Sequence, residues 1–200
     1  MIMSGKQRDF DFSDRAVSYD EGLAGRFSKR FYTLVQNEVK LNAGMRVLDV
    51  GCGTGALLDR LRSVYNIEAH GIDAEAEMIA VAQQKRPECL FKKAPGEQIP
   101  YTDQSMDAII TCMAYHHFAD KTGFAREAAR VLKPGGVLYI ADPKFPLVVR
   151  KPLNGALRLF RIAGEFLTAR EIAGRFAGHG FEFTGAEYDG YAQIVKLTRN

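Results

Sequence analysis

The sequence predicts a doubly wound α/β domain: a mostly parallel seven-stranded sheet with helices on both faces and a C-terminal antiparallel hairpin. Three observations carry that prediction. Short aliphatic and β-branched runs alternate with stretches whose apolar residues recur at helical spacing, the order expected of parallel strands joined by covering helices. A glycine cluster, Gly51-Cys52-Gly53-Thr54-Gly55, follows the first of those runs directly. The chain ends in two strand-like runs joined at Asp189-Gly190, a dipeptide suited to a hairpin turn.

Residues 20–40 read as a helix, because Leu23, Phe27, Phe31, Leu34 and Val35 recur at helical spacing. Arg46–Val50 reads as the first strand, and the helix beyond the glycines carries Leu57, Leu58 and Leu61. Ile67–Ile72 predicts the second strand and Glu75–Lys85 the next helix. Cys89–Lys92 and Asp107–Cys112 predict strands three and four. Phe118–Leu132 reads as a helix stopped by Lys133-Pro134-Gly135-Gly136, since proline cannot continue the helical bonding. Val137–Ala141 follows as strand five. Thr168 is placed to cap a helix running to Ala177, and Phe181–Tyr188 with Tyr191–Thr198 forms the hairpin.

Composition sets limits on function. With 46% hydrophobic and 26% charged residues over 200 positions, the chain can fill one core without disulfides or metal. No apolar run reaches the length of a membrane span, and Met1–Asp9 holds no signal-like apolar stretch, so a cytoplasmic protein is expected. Cys52, Cys89 and Cys112 lack zinc-like spacing and read as reduced thiols, and no metal is expected. A net charge of +3 is too small to suggest a nucleic-acid partner. That charge is local. Lys144, Arg150, Lys151, Arg158 and Arg161 lie between Pro143 and Gly164 with no acidic residue, and without them 22 basic residues face 24 acidic ones.

The most informative stretch is Val47-Leu48-Asp49-Val50-Gly51-Cys52-Gly53-Thr54-Gly55. Glycines at alternate positions after a strand let the backbone turn sharply and approach a ligand closely. Two ligand classes fit. Gly51-x-Gly53-x-x-Ala56 followed by Asp73 also satisfies a dinucleotide fingerprint, which leaves an NAD-dependent dehydrogenase open on the loop alone. The stretch nonetheless resembles the first motif of the class I, Rossmann-like S-adenosylmethionine-dependent methyltransferases, a family that includes quinone and small-molecule methyltransferases. The resemblance continues through Gly71-Ile72-Asp73, through Glu97-Gln98-Ile99-Pro100-Tyr101-Thr102-Asp103 and through Glu127-Ala128-Ala129-Arg130-Val131-Leu132-Lys133-Pro134-Gly135-Gly136. Phe12–Glu21 is similar to the family's N-terminal lid segment, so the resemblance covers residues 10–142 in order.

The resemblance implies S-adenosyl-L-methionine as cofactor, S-adenosyl-L-homocysteine as product, and a single methyltransferase domain over 1–200. Residues 1–40 would form a lid and helix region, and 143–164 an insertion on the substrate side. It implies that Gly51, Gly53 and Gly55 shape the cofactor floor, that Asp49 holds the loop and orients the cofactor's amino group, and that Asp73, beside Ala74, accepts from the ribose hydroxyls. Tyr19 would fold over the methionine end, and Cys112 would contact the cofactor through its backbone. One departure stands out: the family's Asp-Ala pair before the conserved acid is Pro95-Gly96 here, so adenine recognition falls to the backbone near Gly96 or Glu97.

The acceptor side is less specific. His116 and His117 follow strand four and Asp142 ends strand five; packing is the expected role of the histidines and capping that of Asp142, with acid–base work or acceptor orientation as the alternatives. No residue is assigned to catalysis. In 143–164, Leu153, Ala156, Leu157, Phe160 and Ala163 would share one helical face, and Asn154, Arg158 and Arg161 another. Three roles stay open for that segment. The first expectation is a solvated helix covering the sheet, the second a lid in which Arg158 and Arg161 select an anionic acceptor, and the least favoured a peripheral contact with an anionic membrane. The expected partner is a small-molecule acceptor, anionic or lipid-like. A catalytically silent cofactor-binding protein is the remaining alternative.

Overall fold

The computed structural model describes residues 23–160 and 164–200. The N-terminal lid segment with Tyr19, and Arg161, lie outside the described residues. The elements run α1 (Leu23–Glu38), β1 (Arg46–Val50), α2 (Ala56–Arg62), β2 (Glu68–Asp73), α3 (Ala76–Lys85), β3 (Leu90–Lys93), β4 (Met106–Cys112), α4 (Lys121–Val131), β5 (Leu132–Pro143), α5 (Leu147–Leu159), α6 (Ala169–Phe176), β6 (Phe181–Asp189) and β7 (Ala192–Arg199). One seven-stranded sheet has the order β3-β2-β1-β4-β5-β7-β6. The first five strands pair in parallel; β7 runs antiparallel to both β5 and β6. Strand order reverses between β1 and β4, and ligands of such sheets bind beyond the carboxyl ends of the strands at that switch.

Each central strand is apolar on both faces, because helices cover both. Val47, Ala108 and Ile110 pack with Phe31 and Val35 of α1 and with Leu57, Leu58 and Leu61 of α2. Leu48, Ile109 and Ile140 pack on the other side with Phe124 and Ala128 of α4 and Ile172 and Phe176 of α6. The register is set by this alternation, since a slip of one residue would exchange the two faces.

Two boundaries differ from the sequence expectation. The helix expected from Phe118 begins at Lys121. Tyr115–His117 winds into a 3-10 turn instead, and the Asp120 carboxylate accepts from the Gly123 amide at 2.7 Å, making Asp120 the cap. Strand five is longer than Val137–Ala141. Leu132 already pairs with Met106, and the Pro134-Gly135-Gly136 stretch passes as an irregularity within β5. Thr168 caps α6 as the sequence indicates, in a reciprocal box with Glu171.

The third difference concerns α5. It is a helix, but it does not cover the sheet, and none of its residues is buried. Leu153 and Leu157 share the half-buried face with Arg150 and Asn154, whereas Ala156, Phe160 and Arg158 are exposed. The inward face is fixed by polar contacts: Asn154 and Phe166 exchange two hydrogen bonds at 2.9 and 3.0 Å, and Arg150 pairs with Glu171. Those bonds outweigh the apolar pattern and turn much of it outward.

Beneath the 3-10 turn, Tyr115, Phe118, Phe124, Phe176 and Phe181 form a chain of ring contacts with centroids 4.9 to 6.0 Å apart. Phe124, fully buried, touches three of the others. Phe124→Ala should lower unfolding free energy by about 3–5 kcal/mol, measured by urea denaturation, because the cavity cannot close around a rigid sheet.

Candidate active site

The glycine loop lies at the switch point. Gly51, Gly53 and Gly55 all have positive φ, at +77°, +52° and +80°. At Gly51 any side chain would also collide, since a Cβ would stand 2.4 Å from the Ala114 methyl. Gly53 has open space where its Cβ would be, and its amide donates to the Asp73 carboxylate at 2.8 Å. The second Asp73 oxygen accepts from the Glu75 amide at 2.9 Å. One carboxylate thereby ties the loop to the end of β2 while facing the cavity.

That cavity measures about 340 Å³ and is lined by Gly51, Cys52, Gly53 and Thr54 of the glycine loop, by Asp49, Asp73 and Ala74, by Pro95, Gly96 and Glu97, and by Cys112 and His117. Of the residues expected at the cofactor site, the structure brings these to one cavity; Gly55 lies outside the lining, packed toward Phe91, and Tyr19 lies outside the described residues. Among the wall residues not anticipated are Ser28 and Tyr32 of α1, Met78 of α3, and Phe118. Ser28 carried a signal, since it lies in helical phase with the buried Phe31 and Val35, where an apolar residue is usual.

Asp49 is 2% exposed and its Oδ1 has no hydrogen-bond partner. Burial, with the Asp73 charge second, pushes its carboxyl up to about 8. Asp73 is also raised by burial, although three backbone amides oppose the shift. Burial likewise holds the Cys112 and Cys52 thiols well above their usual range, which keeps both protonated and inert.

At the ends of β4 and β5, His116 Nδ1 lies 2.9 Å from Asp142 Oδ1, with both side chains 6% exposed. Asp142 therefore bonds a histidine across the ends of β4 and β5, a contact the sequence did not disclose. The His116 ring lies against His117 (centroids 4.0 Å) and stacks on Phe166 at 4.9 Å. The Glu165 amide donates to the His116 carbonyl at 2.8 Å. His117 faces the cavity, His116 and Asp142 sit behind it, and Arg158 is exposed on α5 outside the lining.

Comparison with known proteins accounts for this arrangement. Residues 48–140 match the model of the methyltransferase domain family. The demethylmenaquinone methyltransferase of Chlorobaculum parvum is 32% identical over 138 residues, 69% of this chain and 55% of that protein. The chain belongs to the class I S-adenosylmethionine-dependent methyltransferases. The 27-O-demethylrifamycin SV methyltransferase of Amycolatopsis mediterranei is 32% identical over 108 residues, 51% of this chain and 40% of that one. The chain spans about half the length of the curated relatives it matches. Among solved structures, a methyltransferase in complex with the Trm112 activator of Haloferax volcanii shares the fold, with a TM-score of 0.83 at 20% identity, covering 96% of this chain and 98% of that one.

The site fits the methyltransferase cofactor on its own chemistry. The orphaned Asp49 oxygen offers an acceptor for an ammonium group, Asp73 offers a carboxylate for a diol, and the glycines clear the floor. A consequence concerns protons. The folded Asp49 carboxyl holds its proton to about pH 8, against 3.8 for a free side chain, so the cofactor-free protein should lose stability as pH rises through that interval. Pairing with an ammonium requires the ionised form, so S-adenosylhomocysteine binding at neutral pH should release most of one proton. Calorimetry in buffers of different protonation enthalpy would measure it. Asp49→Asn should abolish the release and weaken binding by roughly 1.5–3 kcal/mol; release persisting in Asp49→Asn would assign the proton to another group.

Proposed function

We propose that this chain transfers the methyl group of S-adenosylmethionine to a small, apolar, weakly acidic acceptor, such as a hydroquinone or a phenol, and that His116 receives the acceptor's proton. The observation that carries the reading is the buried His116–Asp142 hydrogen bond beside the cavity wall. The relatives lend support, since the two proteins compared by sequence are named for methylating demethylmenaquinone and 27-O-demethylrifamycin SV.

When bound, S-adenosylmethionine supplies a methyl on a positively charged sulfur, whose departure needs no proton. What remains for the protein is alignment, exclusion of water and disposal of the acceptor's proton. His117, in the turn beyond β4, lines the cavity and would give the acceptor an aromatic wall. Asp142 accepts from His116 Nδ1, which leaves Nε2 as the nitrogen with the lone pair. Phe166 stacks on the imidazole and His117 makes a tilted contact with it, which limits rotation of the ring. In the proposed role His116 Nε2 would take the proton the acceptor gives up, and the Asp142 carboxylate would stabilise the resulting imidazolium.

Asp142→Asn keeps the shape of the pair but removes the charge that stabilises the imidazolium. With labelled S-adenosylmethionine and a panel of hydroquinones and phenols, kcat for Asp142→Asn and His116→Gln should fall by about 10²-fold or more, while S-adenosylhomocysteine affinity stays unchanged. Turnover within about threefold of wild type in both variants would show that the pair only supports packing.

A further inference from the structure

We propose that α5 is a docking helix that seats the enzyme on an anionic lipid surface. The inference rests on the methyltransferase reading above and deepens it, because it places the acceptor in or at a bilayer. Its basis is an apolar strip left on the outer face. An ordinary surface helix turns most of its apolar residues toward the core, whereas α5 half-buries only Leu153 and Leu157 there, beside Arg150 and Asn154, which are held through Glu171 and Phe166.

What faces outward is apolar. Val148, Leu159 and Phe160 are 81%, 77% and 71% exposed, and Leu147 and Val149 are also exposed. These five are half of the ten large exposed apolar residues among the described residues, gathered within one segment of 14 residues. Successive helical residues turn by about 100°, so Val148, Pro152 and Leu159 form the middle of the exposed strip, with Ala156 and Val149 on one flank. Lys151 and Arg158 lie on the other. An apolar strip bordered by basic side chains is the pattern of helices that lie in the plane of a lipid interface.

Charge selects the occupant. Pro143–Gly164 contains five basic residues and no acidic one, whereas the rest of the chain carries 22 basic against 24 acidic. A complementary surface must be negative and must also accept leucine, valine and phenylalanine side chains, and a bilayer containing anionic phospholipid meets both demands. Position agrees as well. The strand β5 that carries Asp142 leads directly into α5, and the segment leaving α5 lays Phe166 against the His116 ring. Seated through α5, the domain would turn its acceptor side, rather than the distant β3 edge, toward the lipid.

The test is co-sedimentation of the full chain with vesicles of phosphatidylglycerol and phosphatidylcholine, compared with vesicles of phosphatidylcholine alone. The wild type should bind the anionic vesicles at low salt and release as salt screens the contact. Val148→Ser with Leu159→Ser should weaken binding on the order of tenfold, and Lys151→Gln with Arg158→Gln should remove the preference for anionic lipid. Each of these positions is exposed, so the variants should fold, and S-adenosylhomocysteine calorimetry on them verifies it. A wild type that stays in the supernatant with anionic vesicles overturns the proposal, whether α5 is then covered by a second copy, a protein partner or nothing. Vesicle binding unaffected by Val148→Ser with Leu159→Ser overturns it equally. Failure of the wild type to bind S-adenosylhomocysteine would instead strike the methyltransferase reading, and the vesicle result would stand apart from it.

Discussion

The turn at Gly51 is the constraint on which the site depends. The Gly51 and Cys52 amides both donate to the Ile72 carbonyl, at 2.8 and 3.0 Å, which hangs the end of β1 from the end of β2. On its other side the same residue abuts Ala114, just beyond β4. Three strand ends therefore converge on one position with no room for a side chain. Left-handed backbone there costs most residues roughly 1–2 kcal/mol before any collision is counted. From this convergence follow the exposure of the Gly53 amide to Asp73, the burial of Asp49 beneath the loop, and the route that brings His117 to the cavity.

A second set of contacts frames the opposite wall. Arg130 of α4 donates to the Ile99 and Tyr101 carbonyls at 2.8 Å, and Glu127 accepts from the Ile99 amide at 2.8 Å. Arg130 beside Glu127 also holds that carboxyl below its usual range. Residues 97–103 have little regular structure of their own, so these bonds satisfy backbone groups that would otherwise be stranded. Farther down the sheet, Lys133 and the Arg46 amide both reach the Asp107 carboxylate, at 2.6 and 2.8 Å. Two motifs that look independent in the chain thus brace one another.

Much of this was legible beforehand. The seven strands, the alternation of faces and the hairpin follow from local periodicity, and the glycine loop announces a ligand because nothing else requires that spacing. The course of α5 was not legible. Its apolar pattern predicts Ala156 and Phe160 on the inward face with Leu153 and Leu157, and the bonds of Asn154 to Phe166, twelve residues on, and of Arg150 to Glu171 rotate the first two outward. The His116–Asp142 bond was hidden for a similar reason: the partners are 26 residues apart, and parallel strands bring them side by side only once β4 and β5 are in register. The start of α4 was misplaced because Asp120 competes with Phe118 for the role of first residue, and capping chemistry favours the acid.

The rung between Asn154 and Phe166 has an evolutionary consequence. A side-chain amide there imitates a peptide group, so a whole helix is attached to the domain through polar bonds and two half-buried leucines, with no fully buried residue of its own. Sequence change along the outer face of α5 consequently meets little resistance from the core, whereas Gly51 is locked by Ala114 and by its bond to Ile72. The glycine loop and the buried His116–Asp142 pair are held fixed, and the outer face of α5 is free to drift. Such a division lets descendants of one scaffold acquire new acceptors without relearning how to fold.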